Sequence, residues 1–180
     1  MGKGVAYVYY SSRYQTQTQT LDPGWMHAHI PGMEDVVMLN IEGNPRPQPR
    51  PRFIGGRVVS TADANARRWK DQICATAKVA VEARGMVEAQ AVAVVMRFDM
   101  PTPKADRHGR PHTFRPDADN LAKLALDAVM SAGLLKDDAA VSTLVVTKTW
   151  AIKGGLVMTL HDDDRTPSPV PASRLPGWIK

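Results

Sequence analysis

A single cysteine, Cys74, stands in a chain of 180 residues. It excludes a disulfide framework and a thiolate cluster, and it makes a reducing compartment the default setting. Long apolar runs are missing too. Nothing approaches the ~18–20 residues needed to cross a bilayer. The opening Met1-Gly2-Lys3-Gly4-Val5-Ala6 has no apolar core for a signal peptide and no Ser or Thr at position 6 for N-myristoylation. A soluble, membrane-free, cytoplasmic protein is the expectation. Acidic residues are in deficit: Lys and Arg number 23 against 18 Asp and Glu, giving a net charge of +5. That balance favours nucleic acid or another anionic surface as partner.

The organisation along the chain is uneven. Residues 1–34 contain the polar run Tyr14-Gln15-Thr16-Gln17-Thr18-Gln19-Thr20, which has no apolar face to bury. They are expected to form a disordered N-terminal extension. The one stretch there with β-forming character is Val5-Ala6-Tyr7-Val8-Tyr9-Tyr10, which could add an edge strand. A single domain is expected over 35–162, and a proline-rich tail over 163–180.

Within the domain, Val36–Ile41 reads as the first strand. The run Asn44–Arg52 is too proline-rich for a helix or a central strand. Phe53-Ile54-Gly55-Gly56-Arg57-Val58-Val59 reads as a hairpin, because Gly-Gly tolerates the positive φ of a tight turn. Ser60 or Thr61 can cap a helix that runs to about Arg84, with Trp69, Ile73, Ala77 and Ala80 facing inward. Glu88–Phe98 reads as a central strand. A second helix over Asn120–Ala132 carries Leu121, Leu124, Ala125, Ala128, Val129 and Ala132 on one face. Two strands follow, Ser142–Ala151 and Leu156–His161. This order predicts an α+β fold, a small mixed and largely antiparallel sheet packed with two main helices.

Chemistry concentrates in Pro116-Asp117-Ala118-Asp119-Asn120-Leu121-Ala122-Lys123 and in Lys136-Asp137-Asp138. Mg²⁺ takes oxygen ligands and is commonly held by one or two carboxylates together with water and substrate phosphate. Two acidic pairs, Asp117 with Asp119 and Asp137 with Asp138, in a basic chain therefore suggest a metal site for phosphodiester cleavage. Helix capping fits Asp117 and Asp119 as well, for about 0.5–2 kcal/mol. The intervening helix is roughly 20 Å long at 1.5 Å per residue, so the second acidic pair reaches the first only if the chain folds back.

These residues resemble a known family. The series Asp117-Ala118-Asp119-Asn120-Leu121-Ala122-Lys123, Asp127-Ala128, Gly133, Asp137-Asp138, Val141, Lys148 and Lys153-Gly154-Gly155 is similar to the RusA-type Holliday junction resolvases. The opening Pro45-Arg46-Pro47-Gln48-Pro49-Arg50-Pro51-Arg52 looks like that of many phage and prophage members, and the likeness spans roughly 37–161. It implies a crossover junction endodeoxyribonuclease, bacterial or phage-encoded, acting in recombination and repair. It further implies that Asp117, Asp119 and Asp138 bind a catalytic Mg²⁺, for which Mn²⁺ can substitute. Asp137 would stand beside them in a supporting role, Lys123 would be the catalytic lysine, and the enzyme would work as a homodimer on four-way or other branched DNA. A non-catalytic DNA-binding module is the alternative, as is a nuclease for other branches.

Arg46, Arg50, Arg52 and Arg57 flank the hairpin, and Arg107, Arg110 and Arg115 lie in the loop that leads to Asp117. With Lys148 they are the candidate DNA contacts. His108 and His112 lack cysteine partners for zinc and read as surface residues, as do the other three histidines. Trp69 and the methionines read as core.

Overall fold

The computed structural model describes residues 5–8, 36–49, 52–59 and 63–163. Among the described residues, seven strands and two α-helices occur in the order β1 (Val5–Val8), β2 (Val37–Glu42), β3 (Arg52–Ile54), β4 (Arg57–Val59), α1 (Ala64–Arg84), β5 (Val92–Pro101), α2 (Ala118–Ser131), β6 (Val141–Ala151) and β7 (Gly155–Asp162). Short 3₁₀ turns occupy Ala105–Arg107 and Asp138–Ala140. Five strands form one sheet in the order β1-β2-β7-β5-β6, and β3 and β4 form a separate hairpin. Every pairing in the main sheet is antiparallel except β5 with β6. The fold is the expected α+β class with a mixed, mostly antiparallel sheet.

Alternation explains how the sheet buries one face. Along β5, Val92, Val94, Met96, Phe98 and Met100 are buried, while Val95 and Arg97 point to the other side and are exposed. Leu39 and Ile41 from β2 and Leu156, Met158 and Leu160 from β7 extend the same apolar layer. The helices close it. Trp69, Ile73, Ala77 and Ala80 of α1, and Leu121, Leu124, Ala125, Ala128 and Val129 of α2, are all buried, as their spacing predicts. Each fully buried Leu or Ile contributes about 1.5–3 kcal/mol.

The β3–β4 turn carries Gly55 at φ 58° and Gly56 at φ 76°, the doubly positive geometry of a two-residue hairpin. Gly43 is special for a different reason. A Cβ there would lie 2.6 Å from the Trp69 ring, and its N–H donates to the Gly154 carbonyl at 3.0 Å. This contact anchors the start of the proline-arginine segment against the turn between β6 and β7.

Several expectations change. Val5–Val8, inside the stretch expected to lack order, pairs with β2 as an edge strand and runs beside α1. Its backbone completes the ladder on the open edge of β2. The cap of α1 is Asp63 rather than Ser60 or Thr61; its carboxylate accepts from Asn65 N–H at 2.9 Å. β5 begins four residues later than read, because Val87 instead makes a single parallel bridge to Leu135. His112 is a core-side residue at 6 % exposure, not a surface one. The remaining residues of the extension and the tail lie outside the described residues.

Candidate active site

β5, α2 and β6 form a parallel crossover, and this connection distributes the acidic residues. The chain leaves the C-terminal end of β5, crosses the loop 102–116, descends through α2 and returns along β6 parallel to β5. Asp117 occupies the N-cap position of α2 with extended backbone angles, and its carbonyl accepts from Leu121 N–H at 3.1 Å. Its side chain makes no capping hydrogen bond. Asp119 lies in the first helical turn and is exposed, as Asp117 is. The positive end of the helix dipole favours both carboxylates, by about 0.3–1 kcal/mol each. One turn on, Lys123 is exposed, and its Nζ comes within 3.8 Å of Asp127 Oδ1. At that distance, with Lys123 exposed and Asp127 half-buried, the pair holds the ammonium loosely.

Asp137 and Asp138 lie at the other end of this unit. α2 has 14 residues, so its ends stand roughly 21 Å apart. β6 gives a second ruler: Lys148 donates to the carbonyl of Pro116, the residue before Asp117, and from Val141 to Lys148 the strand covers about 23 Å. Asp137 caps the short turn before β6, accepting from Ala139 N–H at 2.9 Å. The fold-back that would unite the two acidic pairs does not occur within one chain. Accordingly, among the described residues no group of three or more His, Cys, Asp and Glu side chains could hold a metal ion.

Basic groups do converge on the start of α2. Lys148 Nζ donates to the carbonyls of Pro116 at 2.7 Å and Phe114 at 2.8 Å, fixing the approach to Asp117. It therefore serves the loop backbone with two of its three donors. The proline-arginine segment arrives from the other side, where Gln48 N–H donates to the Asn120 carbonyl at 3.1 Å. That bond sets Gln48, two residues beyond half-buried Arg46, against the first turn of α2. Arg52 and Arg57 sit on the β3–β4 hairpin, and Arg50 lies outside the described residues.

The loop 102–116 is ordered by its own pairing. Its residues 109–112 cover the outer edge of β6 through Gly109 N–H to Trp150 O, Trp150 N–H to Arg110 O and His112 N–H to Lys148 O, each at 2.9 Å. His112 packs on Trp150 with ring centroids 4.0 Å apart. Burial lowers its pKa below the ordinary histidine range, and the nearby Lys148 cation adds to the effect; hydrogen bonds with backbone partly oppose it. Arg107 lies over Trp150 at 5.4 Å and over Phe114 at 6.0 Å. Sequence patterning gave no hint of this aromatic group, because its members come from two separated segments.

An α+β domain that frames an acidic helix start with arginines and lysines is suited to handling phosphodiesters. Residues 42–161 match the family model described as endodeoxyribonuclease RusA, two thirds of the chain. The chain belongs to the RusA endodeoxyribonuclease family, and its domain is a hydrolase of DNA. No curated protein matches it. No helix among the described residues is long and apolar enough to cross a membrane.

Proposed function

We propose that this protein is a Mg²⁺-dependent endodeoxyribonuclease that cleaves four-way and related branched DNA as a homodimer, with Asp117 and Asp119 as its principal metal-binding carboxylates. The observation that carries the reading is the unused carboxylate at the N-cap of α2, with a second one turn-adjacent and cationic groups on both sides. Two exposed carboxylates fit a Mg²⁺ site that leaves its other positions to water and phosphate. When bound, the ion supplies Lewis acidity and a more acidic water. Lys123 offers an ammonium to charge developing on the phosphate. Arg46 and Arg115 neutralise neighbouring phosphates and set the strand's register.

Asp138 enters this reading through a second subunit. One chain holds the acidic pairs roughly 20 Å apart, whereas a two-fold partner related by antiparallel β6 edges would bring Asp138 of the partner subunit toward the Asp117 end. The N-terminal half of β6 suits such a contact: no strand covers its outer edge among the described residues, and Leu144 and Val145 are exposed at 45 % and 44 %. Mixing tests this. Asp117→Asn and Asp138→Asn proteins, each inactive alone, should regain nicking when combined, because half of the sites in a mixed dimer would carry neither change. Failure of any recovery, with mixed dimers shown by mass, would place each site within one chain. The cleavage reading itself is tested on a synthetic four-way junction with and without Mg²⁺. Equal nicking by Asp119→Asn and the parent protein would overturn it.

A further inference from the structure

Phe114 is 61 % exposed, although phenylalanine is ordinarily buried. Scattered exposed apolar side chains need no explanation, but this one is held in place. Its own carbonyl accepts from Lys148 Nζ at 2.8 Å. Its ring stands 6.0 Å from Trp150 and meets His112 edge-on at 6.2 Å. The strand-like pairing of 109–112 with β6 fixes the surrounding loop. Arg107 completes the group by lying against both Phe114 and Trp150. The result is a rigid aromatic step that faces solvent, backed by a guanidinium.

Its neighbours define the ligand chemistry. Lys104, Arg107, Arg110 and Arg115 share the loop with a single acid, Asp106. A basic frame around an exposed aromatic ring is the combination that binds unpaired nucleotides: cations track the phosphates, and the ring stacks on a base of any sequence. An apolar protein partner would gain little from the Arg107 guanidinium at the ring and three more cations in the same loop. Phe114 also stands three residues before Asp117, at most ~11 Å away along the chain. That span corresponds to roughly three base steps on one strand at about 3.4 Å each.

We infer that Phe114, supported by Trp150 and Arg107, stacks on an unpaired base at the branch point of the DNA and so discriminates branched DNA from duplex. In continuous duplex the bases are already stacked on one another, and the ring has no face to bind; at a branch a base can be freed. This rests on the reading of Asp117 and Asp119 as the cleavage site, which places the step beside the scissile strand. Phe114 is accordingly a specificity residue, separate from the groups that touch the reacting phosphate.

Binding measured without Mg²⁺ tests the inference independently of cleavage. The probes are a four-way junction with 2-aminopurine at the branch and a linear duplex of the same sequence. Phe114→Ala should weaken junction binding about tenfold while leaving duplex affinity within about twofold. It should also abolish the 2-aminopurine fluorescence change, and Phe114→Trp should restore both. Equal weakening on junction and duplex, or none on either, would overturn the inference. So would a loss of dimer mass in Phe114→Ala, which would make the ring a contact between copies. A parent protein that prefers no branch overturns this inference. A protein that discriminates through Phe114 yet still nicks as Asp119→Asn leaves the inference standing and removes only the metal-site reading.

Discussion

The two long helices begin with the same residue type and use it differently. At the start of α1, Asp63 turns its carboxylate onto Asn65 N–H at 2.9 Å. At the start of α2, Asp117 occupies the same cap position with similar extended angles and makes no such bond. Capping by Asp stabilises a helix by about 1 kcal/mol, so withholding it has a cost. The chain accepts that cost at one of these two helices, the one met by Lys148 and the ordered loop. An aspartate at a helix start thus becomes a functional candidate when its geometry leaves the carboxylate uncommitted.

The largest effect that would test this contrast is on cleavage. Asp117→Asn and Asp119→Asn should each lower the nicking rate by at least about a hundredfold, the scale of losing one group that acts on developing charge. The denaturation midpoint of Asp117→Asn should stay close to the parent's, because the Asp117 side chain makes no capping hydrogen bond. Asp63→Asn should leave nicking unchanged. A rate for Asp63→Asn as low as that of Asp117→Asn would erase the distinction between the two helix starts.

Much of this was legible from local pattern. Apolar spacing located both helix faces, since one buried stripe suffices to define them, and Gly55-Gly56 marked the hairpin through its required φ. The acidic start of α2 was also visible as an excess of carboxylate. What escaped was decided by distant partners. Whether Asp117 or Asp63 caps depends on side-chain rotamers that the dipeptide does not set. The separation of Asp117 from Asp138 follows from β6 running parallel to β5, and strand direction has no local signature. Val5–Val8 gains its order from the free edge of β2, which its polar sequence neighbours conceal. His112 reads as polar, yet the antiparallel bridge of Pro111 to Thr149 carries it beneath Trp150.

Lys148 sharpens the contrast at intermediate size. As a phosphate ligand it would lower the salt slope of log K by about 0.9 when removed, with little effect on folding. The structure gives it two carbonyl partners instead. Lys148→Met should therefore destabilise the protein by about 1.5–3 kcal/mol, the scale of hydrogen bonds from a charged donor. It should reduce nicking through a displaced loop and leave the salt slope unchanged. Titrations over several salt concentrations, paired with urea melts, separate the two roles.

The conventional cap provides the next measure. Asp63→Ala should cost about 1 kcal/mol, shifting the thermal midpoint by a few degrees, roughly 2–5 °C for a domain of this size. The same change at Asp117 should move the midpoint less than Asp63→Ala does. A larger loss at Asp117 than at Asp63 would mean that the α2 carboxylate is structural after all, and would return it to the role of a cap.

The smallest effect is a pH dependence confined to the approach to α2. His112 is nearly buried, and its Nδ1 has no hydrogen-bond partner. Burial first, and the Lys148 cation second, lower its pKa in the folded state. In the unfolded chain the ring takes a proton near the ordinary value of about 6.5. Between that value and the lower folded one, the unfolded state binds more protons, so stability falls as pH falls and levels off below the folded pKa. Above about 6.5 the ring is neutral in both states and contributes no slope. Urea midpoints should accordingly drop as pH falls below that value, and His112→Gln should flatten this portion of the curve whatever its effect on stability at pH 8. Hydrogen exchange should show the loosening at residues 109–112 before it reaches the start of α1. An unchanged slope in His112→Gln would assign the acid sensitivity to other groups and leave the aromatic loop indifferent to pH.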